Sequence, residues 1–364
     1  MPLPPVADTA KQPLDIPSES PEPPKVARAS EGGEGAGGAG EEAWDERAPE
    51  AESLGMCHNP RLQRYLVAVE YIGTRFSGSQ KQPNRRTVTG TLEEAFLKFV
   101  GQPVSAVCSS RTDAGVHALS NVFHVDVQRI SKRKPNEVLT PHEPGVVRRA
   151  INHFLQKEGD IMVNDVQCVP EDFHARFKAL ERTYFYRLLC GPELLPVFER
   201  ERAWHVPEEL DISAMKKACN SLVGLHDFSS FRAAGCQATS PVKTLDELSV
   251  CEVAPFIWFP SSTERKEFNA KSLDGDSRIP HIPEKCSRLF GERHRHRCFV
   301  ITARACSFLY HQVRLLVGVL KCVGTGELTS NDVERILNAK TVIAASPMAP
   351  ACGLYLCNIK YCLP

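Results

Sequence analysis

Cys108-Ser109-Ser110-Arg111-Thr112-Asp113-Ala114-Gly115-Val116-His117-Ala118 is the stretch from which the rest of the chain can be read. An apolar run, Val104 to Val107, leads into it, and a strand-like run, Asn121 to Val127, leads out. The pattern predicts a polar turn between two strands, with one carboxylate, Asp113, at its centre. Arg111 precedes that acid, and Gly115 and His117 follow it. Glycine takes positive φ without steric cost, so such a turn can bring a side chain up to a ligand. An acid in a turn is also a common turn former, and the turn alone leaves both readings open.

Working outward, Tyr65 to Tyr71 reads as a strand, and Thr91-Leu-Glu-Glu94 reads as a capping box opening a helix with Leu92, Ala95, Phe96 and Phe99 on one face. After the Asp113 hairpin, Val146 to Leu155 is predicted as a second helix and Ile161 to Val169 as a strand. That β-α-β-β-α-β order is the order of a ferredoxin-like module, the layout of many RNA-recognition domains. The second half repeats it in pattern. Strands are expected at Thr183 to Cys190, Leu245 to Val253, Phe299 to Cys306 and Leu354 to Tyr361. Helices are expected after Asp211, along the stripe Leu309, Val313, Leu316 and Leu320, and after Thr329. The expected fold class is α/β (α+β): two ferredoxin-like modules, residues 61–170 and 171–364, with antiparallel sheets facing a basic cleft over Asp113. An irregular, charged insertion is expected at about 254–297. Its His-rich end lacks metal-ligand spacing and reads as a solvated basic loop.

The net charge of zero hides an asymmetry. Residues 1–55 hold 4 basic and 12 acidic groups of the chain's 44 and 44, leaving 40 basic and 32 acidic from Met56 onward. Residues 1–60, rich in Pro, Gly and Glu, cannot offset their ordering entropy by burial and read as a disordered acidic tail. The remainder is mildly basic, which suits a polyanionic partner. No apolar stretch is long enough to span a bilayer, so no membrane is expected. The 14 cysteines contain no Cys-x-x-Cys pair and read as reduced thiols of an intracellular protein. Residues 1–55 are too acidic for a mitochondrial transit peptide; the basic segment from Met56 is a short second candidate.

Asp113 has no partner carboxylate close in sequence, the next acid being Asp126 beyond a strand. This disfavours a glycosidase-like acid pair and a magnesium site of clustered acids. A single carboxylate fits attack on, or deprotonation at, a carbon centre, and needs a basic partner to stay ionised when desolvated. Arg111 and Arg314 are the two candidates. Tyr184 and Tyr186 alternate on one strand face; Tyr186 is read as core. The runs Asp172-Phe-His-Ala-Arg-Phe177 and Asp227-Phe-Ser-Ser-Phe-Arg232 pair aromatics with arginine, for RNA contact or for packing at the edge of the core.

Taken together, Arg111 to His117, Asp172 to Phe177, Arg182-Thr-Tyr184, Asp227 to Arg232, Phe308-Leu-Tyr-His-Gln-Val-Arg314 and Gly353-Leu-Tyr-Leu356 resemble the TruA-like tRNA pseudouridine synthases over about Arg64 to Tyr361. Ser109 to Asn121 and Leu195 to Arg200 are similar to the animal branch, part of which works in mitochondria. The resemblance implies the pseudouridine synthase fold and an isomerase that turns uridine into pseudouridine in the anticodon stem-loop of tRNA, around nucleotides 38–40, with no cofactor and no metal. It implies Asp113 as the catalytic carboxylate, Tyr184 as the ring against the uracil and Arg314 as the ion-pair partner of Asp113. Arg111 and Arg232 would hold phosphates or the flipped nucleotide, and His117 is assigned to the substrate as well. Mitochondria are the expected compartment, with cytoplasm or nucleus as alternatives, and the bacterial relatives allow for a homodimer. One departure is Gly78-Ser79-Gln80, where many relatives have Gly-Trp-Gln. The alternative reading is an RNA-binding or tRNA-folding protein on the same fold without turnover.

Overall fold

The computed structural model describes residues 62–134, 137–253, 296–345 and 347–363. The expected acidic tail, the segment beginning at Met56 up to residue 61, and residues 254–295 of the expected insertion lie outside the described residues. In the first half, β1 (Leu62–Tyr71), α1 (Val88–Val100), β2 (Ala106–Cys108), β3 (His117–Gln128), α2 (Pro144–Leu155) and β4 (Ile161–Val169) follow in the order expected. Tyr65, Val67, Val69 and Tyr71 alternate inward along β1, as period-two burial requires. In α1 the buried apolar set is Val88, Leu92, Ala95 and Phe96, and in α2 it is Val147, Ile151 and Leu155, one stripe each. The capping-box expectation at Thr91 is corrected. The helix starts a turn earlier, where Thr87 accepts a hydrogen bond from Gly90 N at 3.2 Å. The β-branched residues and glycine of that first turn hide it from propensity.

The second half comprises β5 (Glu181–Cys190), β6 (Trp204–Val206), α3 (Ile212–Leu222), β7 (Gly224–Asp227), β8 (Val242–Leu245), β9 (Glu247–Val253), β10 (Arg297–Ala305), α4 (Gln312–Gly324), α5 (Ser330–Ala339) and β11 (Leu354–Lys360). Asp211 caps α3 through Ala214 N at 2.9 Å, and Thr329 and Asp332 form a capping box on α5. The strand expected from Leu245 splits into β8 and β9 at Asp246, and β8 pairs with β7 in a separate two-stranded sheet. α4 is buried almost all round, which the four-residue stripe understates.

Neighbour order in the first half is β4-β1-β3-β2, and in the second β11-β5-β10-β9. With β6, β7 and β8 left out, the strands numbered within each half both read fourth, first, third, second, so the mixed α/β class with two ferredoxin-like modules stands. The expectation of two sheets facing a cleft is corrected, because nine of the eleven described strands, four from the first half and β5, β6, β9, β10 and β11 from the second, join one sheet. The long edge of β3 is shared. Its later residues Phe123–Val125 pair antiparallel with β2, and its first residues pair parallel with β11, at Tyr355↔His117 and Leu356↔Ala118. The turn bearing Asp113 leaves the sheet at this fork.

Candidate active site

The backbone just before Asp113 is clamped from both sides. Ser79 Oγ accepts from Thr112 N at 2.8 Å, and Ser79 N donates to Thr112 O at 3.0 Å. Thr112 Oγ1 is 2.7 Å from the Tyr71 hydroxyl, which in turn accepts from Asn121 Nδ2 at 3.0 Å. Asn121 Nδ2 also donates to Ser110 O at 3.0 Å. Gly78 has φ +99°, and a Cβ there would lie 2.9 Å from Thr112 O, so the close approach requires glycine. Ser79 is completely buried. It supplies a loop anchor that reading the sequence missed.

Asp113 itself remains partly open, its side chain 28% exposed. Its Oδ2 faces Arg314 Nη1 at 3.5 Å and His311 Nε2 at 3.2 Å. Arg314 is fixed by a second contact, Nε to Ala349 O at 2.8 Å, while Ala349 N donates back to Arg314 O at 3.0 Å. His311 precedes α4 in a left-handed conformation (φ 62°), with its ring stacked on Tyr310 at 3.8 Å. Burial holds the His311 pKa below the usual imidazole value; Asp113 opposes that shift and Arg314 reinforces it. The ring is therefore neutral at neutral pH, and its Nε2–H can donate to the carboxylate. The Arg314 cation and the His311 N–H donor thus meet on the same carboxylate oxygen. In the sequence His311 stands out only as part of the Phe308 to Arg314 motif; its direct contact depends on the left-handed turn, which no periodicity signals.

Tyr184 rises from β5, its hydroxyl 2.9 Å from Ser110 Oγ and its ring edge-on to Phe308 at 5.1 Å. Burial pushes its pKa up to about 12, so the phenol stays protonated. Tyr186 is fully buried, donating to Pro350 O at 2.8 Å, a core residue as expected. Arg111 is exposed and reaches Gln237 Oε1 at 3.3 Å; no ion pair with Asp113 is found. The segment that follows Arg232 is tied beside His311 by Ala233 N to Tyr310 O at 3.1 Å. Arg232 itself is half-buried. Arg111, Asp113, Tyr184, Arg314 and the Arg232 segment thus converge.

His117 does not join them, and its assignment to the substrate is corrected. It is 2% exposed. Its Nδ1 accepts from Gly73 N at 3.0 Å, and Nε2 reaches Glu201 O and Cys352 O at 3.0 and 3.1 Å. Burial lowers its pKa, and the ring stacks on Tyr355 at 4.7 Å. A neutral imidazole with every polar atom used on backbone pins the fork between β3 and β11.

A second missed residue, Arg182, lies on the same face of β5 as Tyr184 and is 8% exposed. Its guanidinium donates to Ser109 O and Arg176 O, each at 3.0 Å, and to Cys306 O. One side chain thereby joins the Asp113 loop, the Asp172–Phe177 run and the approach to His311.

The profile of the tRNA pseudouridine synthase family matches residues 67–178 and 218–362. A tRNA pseudouridine synthase A of Rhodospirillum centenum is 41% identical over 300 residues, covering 82% of this chain and all of the relative. The enzyme of the same name from Xanthobacter autotrophicus is 38% identical, with 82% and 100% covered, and that of Agrobacterium fabrum is 36% identical, with 82% and 93% covered. With the site geometry and these likenesses in hand, the chain belongs to the tRNA pseudouridine synthase family of isomerases.

Proposed function

We propose that this synthase acts on uridine in the anticodon arm of tRNA, with Asp113 as its catalytic carboxylate. The observation that carries the reading is the placement of Asp113 Oδ2 between Arg314 and His311 on a turn locked by Ser79. In the reaction the C1′–N1 bond breaks, the freed uracil turns within the site, C5 bonds to C1′, and the C5 proton is lost while N1 regains one. Asp113 opens this sequence, either by adding to C1′ or by taking the 2′ proton; both demand an ionised, preorganised carboxylate. Tyr184 walls the space the uracil turns in, and Arg111 and Arg232 supply positive charge for the ribose-phosphate chain. A base with its face and edges available must first leave its stack, which fits the single-stranded part of a stem-loop.

Asp113→Asn preserves shape and removes charge and nucleophilicity. It is expected to bind unmodified tRNA transcript normally and to form no pseudouridine in a single-turnover assay, a loss of at least about 10⁴-fold. Clear turnover by the variant would remove Asp113 from this role, and absence of turnover in the wild type would favour a binding protein. The same reading puts the enzyme in mitochondria, supported by the basic run that begins at Met56. Mapping pseudouridine in cytosolic and mitochondrial tRNA with and without the protein tests compartment and target nucleotide together.

A further inference from the structure

The two Phe–Arg runs differ in what they do with their rings. Phe228 and Phe231 are fully buried, and Phe173 is 5% exposed, so three of the four rings are core. Phe177 is 75% exposed. Exposure of one phenylalanine carries nothing by itself. Its surroundings carry more. The His174 ring lies 4.3 Å from the Phe177 centroid, tilted 30°, which supports the phenyl ring on one side. His174 Nδ1 also accepts from Arg176 N at 3.1 Å and Phe177 N at 3.4 Å, fixing the backbone of the turn. The Arg176 guanidinium stands over the ring, 5.8 Å from its centroid. Arg176 and Lys178 flank Phe177 in the sequence, both exposed, and neither forms an ion pair among the described residues. The carbonyl of Arg176 is held by the Arg182 nitrogen that also holds Ser109 O, on the face of β5 that carries Tyr184. A supported aromatic ring with two neighbouring cations that form no ion pair among the described residues is therefore tied to the loop that carries Asp113.

We propose that Phe177, backed by His174 and flanked by Arg176 and Lys178, is a stacking platform for a second nucleobase of the tRNA loop, one that neighbours the target uridine. The occupant follows from the chemistry. A flat, largely exposed ring receives any base without sequence preference, and cations near it in the chain neutralise the phosphates that flank that base. Because the turn is already ordered, little freedom is lost on binding. The inference rests on the reading of Asp113 as the centre of tRNA modification, but its test reads binding and so stands apart from turnover.

The test is a cycle between Phe177 variants, made in the Asp113→Asn protein, and tRNA transcripts with an abasic site at each loop position in turn. With Phe177 present, one abasic position other than the target is expected to weaken binding about tenfold, the scale of base–aromatic stacking. Phe177→Ala is expected to lose about tenfold on intact tRNA and nothing further at that position. Phe177→Trp should restore affinity, whereas Phe177→Leu, apolar but lacking an aromatic face, should not. Additive losses at every position, or wild-type affinity in Phe177→Ala, overturn the proposal. A change in sedimentation of Phe177→Ala with RNA affinity intact also overturns it, by assigning the ring to a second copy of the chain. Should the wild type bind tRNA yet make no pseudouridine, the functional reading falls and the cycle still decides the platform.

Discussion

The two halves of the molecule share a β-α-β-β-α-β core and its strand order, the second half adding β6, β7, β8 and α5, and within that core one small strand differs. The second strand of the first half, β2, has three residues; its counterpart β9 has seven. A β2 as long as β9 would run along β3 past Phe123 toward His117, where β11 now pairs. Shortening it leaves part of an edge open, and an open edge is a template for another strand. The second half fills it with β11, and the chain freed from β2 becomes the Asp113 turn. One half therefore supplies the carboxylate, and the other supplies Arg314, His311 and Tyr184 to receive it. The repeat shows how a two-sided site arises from one fold: each copy alone holds only part of the chemistry.

The largest effect should come from removing the cation that the second half contributes. Arg314→Ala deletes the bond to Asp113 and the bond to Ala349 O together. We expect pseudouridine formation to fall about 10²–10³-fold in single turnover, the cost of losing a preorganised charge at a reacting centre, with tRNA affinity changed far less. Arg314→Lys keeps a charge but cannot make both contacts from one planar fork, so its rate should be intermediate. Wild-type rates in Arg314→Ala would hand the electrostatic role to His311.

The halves also differ in their response to acid. Within the first half His117, His124 and His142 have lowered pKa values, as does His174 just beyond it, all chiefly through burial; in the second half His311 does. His124 is the extreme case. Burial, then the charges of Arg64 and His174, bring it to about 4, and its Nδ1 accepts from Ala175 N at 3.1 Å. The folded value lies below the unfolded value of about 6.5, so the unfolded chain protonates first. Stability present above about pH 6.5 is therefore lost as pH falls toward 4, by roughly 3 kcal/mol for this one group. His124→Asn keeps an acceptor and has no proton to gain. Its melting temperature should fall less than the wild type's between pH 7 and pH 4.5; parallel curves would show that His124 does not set the acid limb.

How much of this could be read from residues alone depends on sequence distance. Helical stripes and the caps Asp211 and Thr329 are local signals, and they located α1 to α5 and the repeated order. The fork at β3 is set by two residue pairs more than two hundred positions apart, with no local trace. His117 was misplaced for the same reason: its partners Gly73, Glu201 and Cys352 are remote, and a polar residue in a polar motif was read as facing a ligand. Asp113, Tyr184, Arg111 and Arg314 came from motif likeness. Of the partners of Asp113, only Arg314 could have been suspected from a helix face. His311 needed the left-handed turn, and Arg182 needed three carbonyls from three separate segments. The Phe–Arg runs were undecidable because both contain the same residue types, and only packing separates Phe173 from Phe177.

The smallest expected effect concerns Arg111, the first-half residue that reaches across to the second half at Gln237. Its side chain is exposed and the Gln237 contact is long, so Arg111→Ala should change stability by no more than about 0.5 kcal/mol. If it holds one phosphate, losing it removes one counterion-release event. The slope of log affinity against log salt should then become shallower by about 0.7–0.9, and binding at low salt should weaken a few-fold. The rate of the bound complex should stay near normal, because a uniform contact lowers affinity without touching the chemical step. An unchanged salt slope with a slower bound-state rate would instead place Arg111 on the flipped nucleotide. That would make the first half the source of the carboxylate and of a group that positions the reacting nucleotide.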